Sequence, residues 1–404
     1  KIFHANMLKL YVERPSQTID KGVLNVVCVA VIEDRSCDET EFVSGTELPL
    51  EYPSDVGKEG IDQISVCPDI SEGQRTQIME VLSQYTDVFT DKPGRTGLIQ
   101  HEIKLNTSAP IRSKGYPIPF SARETVNDEV GKMLALGVIE PSNSPYSCPV
   151  VLVRKKDGTN RFCIDFRQLI KITVFDAEPM PDIESLFSKL AGHKYISKLD
   201  LTKGYWQVPI ADNVRELTAF ATPKGLYQFR VMPFGLVNAG ASCVRLMRKL
   251  LSGMENVDSF VDDIFVYTYT WEEHVKTLKD LFNRLRRANL TARPTKCSVG
   301  YANLECLGHL VSGLGQLKPH PDKVGAIRDA PRPVTKKQVR SFLGLIGFYR
   351  KFVPNFAAIA SPLTDLTRKG QPNKVPWGVC QENAFNALKH RLISAPDLKA
   401  ARIK

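Results

Sequence analysis

The chain has 404 residues, 43% of them apolar, enough to bury a sizeable core and to hold more than one domain. Its net charge of +10 is uneven: residues 1–100 carry 9 Lys/Arg against 17 Asp/Glu, whereas residues 101–404 carry 45 against 27, a basic body suited to a polyanion partner. The longest oily stretch, Val23 to Ile32, is too short to span a bilayer, and nine cysteines without a C-x-x-C pair exclude a zinc knuckle or redox motif and read as reduced thiols of an intracellular protein.

The chain begins with Lys rather than Met, which marks a fragment, a processed product or part of a polyprotein. Residues 1 to about 70 are irregular and acidic and carry no Asp-Thr/Ser-Gly protease signature, so no proteolysis is expected of them. From Ser71, Ile78, Val81, Leu82, Tyr85 and Phe89 recur at helical spacing. The proline-rich stretch Pro110 to Pro119 leads into a helix opened by Ser121-x-x-Glu124, a capping-box pattern. Val126, Val130, Met133 and Leu134 form its inner face and Gly137 ends it. Cys148 to Val153 and Arg161 to Phe166 read as two strands turning at Asp157-Gly158. A short helix follows with Ile183, Leu186, Phe187 and Leu190 inward, stopping near Gly192.

Asp200 then stands in a short strand-like segment, Ile196 to Leu201. Asp262 and Asp263 sit side by side inside the apolar run Phe260 to Tyr267, which reads as strand–turn–strand. An exposed turn is the usual home of an Asp-Asp dipeptide. Here the flanks are oily, so the like charges lose hydration and need a strong counter-charge. Three carboxylates on neighbouring strand ends are what two divalent metals require to align an in-line attack on phosphorus. Downstream, Thr270-x-x-Glu273 opens a helix with Val275, Leu278, Leu281, Phe282 and Leu285 inward. Thr335-x-x-Gln338 opens another, striped by Val339, Phe342, Leu343, Ile346, Tyr349 and Val353. Both stripes are core faces, and the whole reads as α+β.

Three segments occur in order: Lys198-Leu-Asp200-Leu-Thr-Lys-Gly-Tyr205-Trp-Gln207, Met232-Pro-Phe-Gly235-Leu-Val-Asn-Ala239 and Phe260-Val-Asp-Asp263. Together they resemble the palm motifs of a reverse transcriptase of the gypsy-type LTR retrotransposon and retroviral Pol family, with similarity from about Gln100 to Pro396. The resemblance implies a right-hand polymerase fold with fingers, an antiparallel palm sheet and a helical thumb and connection. Its expected division is an acidic connector and leading helix at 1–99, fingers and palm at 100–310, and thumb with the start of the connection at 311–404. It implies an RNA-directed DNA polymerase that extends a primer on an RNA or DNA template with deoxynucleoside triphosphates, using two Mg²⁺ ions for which Mn²⁺ can substitute.

Residue by residue, the resemblance makes Asp200 and Asp262 direct metal ligands, Asp263 a less direct contributor and the Leu201 carbonyl a further ligand. Lys155 and Arg161 of the fingers hairpin would grip the triphosphate, Tyr205 would gate the sugar, and Phe234 and Gly235 would line the nucleotide pocket. Asp165 and Arg167 would support the pocket and contact template, with a structural ion pair the competing reading. Phe260 stands where the family has a tyrosine that touches primer or template. Leu307, Gly308 and His309 match the segment that holds the primer end. Lys318, Lys323, Lys336, Lys337 and Arg340 would meet template–primer phosphates.

The chain departs from the family at Gly240, Ile170 and Phe260, none of which removes a metal ligand. These departures leave a second reading beside the enzyme: a catalytically inactive relic or a co-opted nucleic-acid-binding protein. The residues after Gln381 resemble the connection toward a ribonuclease H domain, whose acidic cluster has no sequence here, so no hybrid-degrading activity is expected. The expected location is intracellular, in the cytoplasm, within retroelement particles or in the nucleus, with no membrane contact.

Overall fold

The computed structural model describes residues 59–154, 160–313 and 315–394, with the backbone of two-residue strands at 8–9, 29–30 and 398–399. The expected irregular segment at 1–70 and the Asp157-Gly158 turn therefore lie largely or wholly outside the described residues. The chain divides into two compact units, one containing residues 32–186 and 194–301, the other containing 187–193 and 302–404. The fold is α+β, and the acids belong to the first unit.

In that unit the described elements are β1 (Ser65–Val66), α1 (Glu72–Ser83), α2 (Arg123–Ala135), β2 (Ile139–Pro141), β3 (Cys148–Arg154) and β4 (Asn160–Ile164). They continue through α3 (Arg167–Ile172), α4 (Ile183–Leu190, which runs on into the second unit), β5 (Tyr195–Asp200), β6 (Phe220–Thr222), β7 (Gly225–Phe229) and α5 (Ala239–Leu250). The last are β8 (Val257–Phe260), β9 (Asp263–Thr268), α6 (Trp271–Arg287) and β10 (Ser298–Tyr301).

One five-stranded sheet has the order β8-β9-β5-β10-β1 and is antiparallel except at the β10/β1 edge. A second, with order β2-β7-β6-β3-β4, carries the expected hairpin, paired from Val150 opposite Ile164 to Arg154 opposite Asn160. Strand alternation sorts the first sheet's side chains. Leu199, Ile264 and Val266 join Leu246 and Met247 of α5 and Val275, Leu278, Leu281, Phe282 and Leu285 of α6 in one apolar core. Lys198 and Asp200 alternate with Leu199 and so leave by the other face.

From residues 59–99, Ile64, Ile78, Val81, Leu82, Tyr85, Val88 and Phe89 join the same core. Ser71 and Gln74 form a reciprocal capping box on α1, and Trp271 Nε1 donates to Gln77 at 2.7 Å. Tyr85 and Phe89, just past the helix, pack edge-on against Phe282. The backbone enters α2 otherwise than the expected Ser121–Glu124 box requires. A 3₁₀ turn at Phe120–Ala122 leads directly into α2, so Ser121 lies within that turn and Ala122 takes the cap position. Gly137 and Gly192 end their helices with positive φ, as the pattern predicts.

The second unit holds β11 (Asn303–Cys306), β12 (His309–Ser312), β13 (Gln316–Pro319), α7 (Pro321–Arg328), α8 (Lys336–Gly347), α9 (Phe356–Asp365) and α10 (Val379–Ile393). The three strands form an antiparallel sheet joined by backbone at 398–399. Thr335 and Gln338 cap α8 reciprocally, and Phe342 meets Phe385 of α10 at 4.6 Å between ring centroids. Among the described residues no helix is long and apolar enough to cross a membrane.

Candidate active site

β5 and β9 run antiparallel in a register that sets Asp200 directly opposite Asp263. β8 and β9 are joined by Val261 and Asp262 alone, a two-residue hairpin. Val261 holds φ at +56°, a left-handed conformation that a β-branched residue resists. That strain turns the hairpin tip back on the end of β5, where the Leu201 N–H donates to the Asp262 carbonyl at 3.2 Å. Gly204 completes the fit, because a Cβ there would come within 2.9 Å of the Asp262 Cβ. Asp200, Asp262 and Leu201 thus gather at one sheet edge, with Asp263 beside Asp200.

Asp200 and Asp263 are both buried. Lys198 Nζ lies 3.1 Å from Asp263 Oδ1, and Lys296 Nζ lies 3.3 Å from each carboxylate oxygen of Asp200. Burial pushes the Asp200 carboxyl above its ordinary range, and the neighbouring Asp262 charge adds to the rise while the two lysines oppose it. Burial likewise pushes Asp263 up to about 7; Lys198 pulls it down, and Asp262 and Asp200 raise it. Neither lysine was identified from sequence. Lys198 was within reach, since two residues before Asp200 on a strand is the same face. Lys296 comes from a 3₁₀ turn at Pro294–Lys296, and no local pattern ties it to Asp200.

Tyr205 sits on the turn Gly204–Gln207, entered through Lys203 at φ +47°. Its ring packs 5.1 Å from that of Phe234, and Gly235 follows with φ +94°. Buried Gln207 fastens this turn from behind, donating to the Thr202 and Thr291 carbonyls and accepting from the Thr291 N–H, each at 2.8 Å. Asp165 and Arg167 form the ion pair that was the competing reading: Arg167 Nε and Nη2 reach the carboxylate at 2.8 and 2.6 Å, and the Tyr116 hydroxyl joins them. That pairing and two hydrogen bonds hold the Asp165 carboxyl below its ordinary range despite its burial. Phe260 is buried, so its ring packs inside the unit. Lys155 lies outside the described residues, and for Arg161 the described feature is its strand pairing with Val153 in β3.

The remaining expected contacts belong to the second unit. Leu307 and Gly308 are both left-handed, at φ +48° and +75°, and the Tyr349 hydroxyl donates to the Gly308 carbonyl at 2.8 Å. His309 is buried among Phe187, Phe348, Tyr349 and Phe352, and desolvation pulls its pKa down to about 4. Lys336 donates to the Gln371 carbonyl and Arg340 to the Thr367 carbonyl, fastening the loop after α9, while Lys337 is half-exposed. Lys318 lies on β13 and Lys323 on α7.

The donor set at the sheet edge is all oxygen and carries excess negative charge, the chemistry of a hard divalent cation. Among the described residues no three carboxylate, imidazole or thiolate groups converge as a ready-made cage. Two of the three carboxylates are turned to ammonium groups instead. The residues fit such an ion in kind, provided that an ammonium yields.

Residues 153–345 match the family described as reverse transcriptase (RNA-dependent DNA polymerase). The chain is 34% identical over 387 residues to a retrovirus-related Pol polyprotein from transposon opus of Drosophila melanogaster, covering 90% of this chain and 38% of that protein. It is 36% identical over 312 residues to the corresponding polyprotein from transposon gypsy of the same organism, covering 72% and 30%. With the transposon Tf2-3 polyprotein of Schizosaccharomyces pombe it shares 31% over 306 residues, covering 74% and 23%. The chain therefore spans less than two fifths of the length of these relatives. Among solved structures, a foamy viral protease-reverse transcriptase in complex with RNA/DNA hybrid is similar with a TM-score of 0.76 and 25% identity, over 84% of this chain and 46% of that one. The same viral protein in complex with dsDNA gives 0.74 and 26%, over 84% and 71%.

Proposed function

Because this chain belongs to the reverse transcriptase family, we propose that it is an RNA-directed DNA polymerase of a retrotransposon Pol polyprotein, extending a primer with deoxynucleotides on an RNA or DNA template. The observation that carries this reading is the pairing of Asp200 with Asp263 across two strands, with Asp262 in the strained turn beside them. Asp200, Asp262 and the Leu201 carbonyl are the groups that would hold divalent cations, Mg²⁺ or in its place Mn²⁺. Two such ions supply a lowered pKa at the primer 3′-hydroxyl and neutralise charge on the leaving pyrophosphate.

The chain's own residues do the positioning. The left-handed Val261 holds the Asp262 carboxylate at the end of β5, so the ligand geometry is set before substrate arrives. Tyr205, packed against Phe234, would act as the sugar gate, its ring colliding with a ribose 2′-hydroxyl and so selecting deoxynucleotides. Gly235 admits close approach of the nucleotide to the backbone. Lys155 and Arg161 would bind the triphosphate, with the fork of Arg161 suited to phosphate oxygens. Leu307, Gly308 and His309 are all buried, and the Gly308 carbonyl accepts from the Tyr349 hydroxyl and the His320 N–H, so in this reading the segment supports the primer grip from within. Of the basic residues on α8, Lys336 and Arg340 each donate to a loop carbonyl, which would hold their charges in place for template–primer phosphates.

Primer extension on an RNA template with Mg²⁺, comparing the native chain with Asp262→Asn, tests the proposal. Extension should fall on the order of 10²–10³-fold in the variant, the size expected when a preorganised charge is removed from a catalytic centre. Equal extension by both would reject the site. Tight, salt-sensitive binding of template–primer by a native chain that never extends it would establish the relic or binding-protein reading instead.

A further inference from the structure

The two ammonium groups that meet the acids have unlike settings. Lys198 rises from β5 itself, and its side chain and that of Asp263 are 6% and 9% exposed. The Phe265 ring, next on the same face of β9, lies 6.0 Å from its Nζ. Lys296 closes a short turn, is 37% exposed, and spans both oxygens of Asp200 at 3.3 Å. Breaking a buried pair strands a charge without solvent, whereas a lysine with a wet flank regains hydration as it swings away.

We infer that Lys296 is a resident counter-ion of Asp200 that a divalent cation must displace, while Lys198 stays on Asp263 and keeps that carboxylate out of the ligand set. The inference rests on reading Asp200 and Asp262 as cation-binding groups. It follows that cation entry and lysine departure are one exchange. With the ammonium in place, the Asp200 charge is offset; with the cation in place, Lys296 is returned to solvent. The competition weakens apparent cation affinity by the fraction of time that Asp200 is unoccupied by its lysine.

Direct Mn²⁺ binding to the whole chain, followed by electron paramagnetic resonance without substrate, separates the possibilities. Lys296→Met is expected to bind Mn²⁺ roughly tenfold more tightly, the factor for a site that its lysine leaves open a tenth of the time. Damage to the fold would weaken binding, so a gain is diagnostic. The melting temperature of Lys296→Met should fall without the ion and be recovered by it. That of Lys198→Met should fall and stay low, because the stranded Asp263 is not a ligand. In the native chain, acylation of Lys296 by an amine-reactive ester, read by mass spectrometry, should rise when Mn²⁺ is added. Unchanged or weaker Mn²⁺ binding by Lys296→Met, or unchanged acylation of Lys296, would overturn the inference. Asp262→Asn serves as the control for the underlying reading: if it binds Mn²⁺ as the native chain does, or if neither binds, the cation site itself is wrong.

Discussion

The two faces of the β5/β9 sheet handle buried polar groups in opposite ways. On one face Asp200 and Asp263 stay paired with Lys198 and Lys296. On the other, His274 sits fully buried between two hydroxyls, with Ser197 Oγ at 2.6 Å from Nε2 and Thr268 Oγ1 at 3.0 Å from Nδ1, and burial pulls its pKa down to about 3. The same desolvation acts on both faces. Where neutral partners suffice the group stays uncharged; where charge is the working property, the fold supplies counter-charges. Packing of the second face keeps the first rigid, since Leu199 and Ile264 anchor the strands whose alternate residues carry the acids.

Breaking the charged face should have the largest effect on stability. Lys198→Met leaves Asp263 buried without its partner and should cost about 3–5 kcal/mol, measured by chemical denaturation above about pH 9, where the Asp263 carboxyl of the native chain is ionised. On the apolar face, Leu278→Ala removes a fully buried side chain from α6 and should cost about 2–5 kcal/mol by the same measurement, while leaving the acids in register.

The neutral face can be sharpened with pH. The folded pKa of His274 lies below its unfolded value near 6.5, so the unfolded chain binds the extra proton first. The stability owed to neutral His274 is present above about pH 6.5 and is lost as pH falls toward 3. Between pH 7 and pH 5 the loss from this one residue should be about 2 kcal/mol, and His274→Gln should flatten that part of the profile. His101, hydrogen-bonded to Ser242 and pulled down to about 4 by burial, contributes in the same direction, so the flattening should be partial. A profile unchanged in His274→Gln would contradict the neutral assignment. Smallest of all, Ser71→Ala removes the α1 cap and should cost about 1 kcal/mol without changing primer extension.

Much of this molecule was legible in order along the chain. The stripes Val275 to Leu285 and Val339 to Ile346, the hairpin strands and the helix stops at Gly137 and Gly192 are local patterns, and local patterns follow from periodicity and backbone sterics. The acidic triad was legible because carboxylates amid oily residues are costly enough to stand out. Ser121 misled because a capping box requires extended backbone at the cap, and the proline-led chain enters α2 through a 3₁₀ turn instead.

Sequence alone determined the kinds of element, their order and which acids are exceptional, since each depends on residues within a few positions of one another. Tertiary structure decided the opposition of Asp200 and Asp263, the left-handed Val261 that aims Asp262, the attachment of α1 to α6, and the lysines that neutralise the acids. Lys296 lies 96 positions from Asp200. Such pairings are set by strand register and by packing across the sheet, where distance along the chain carries no information.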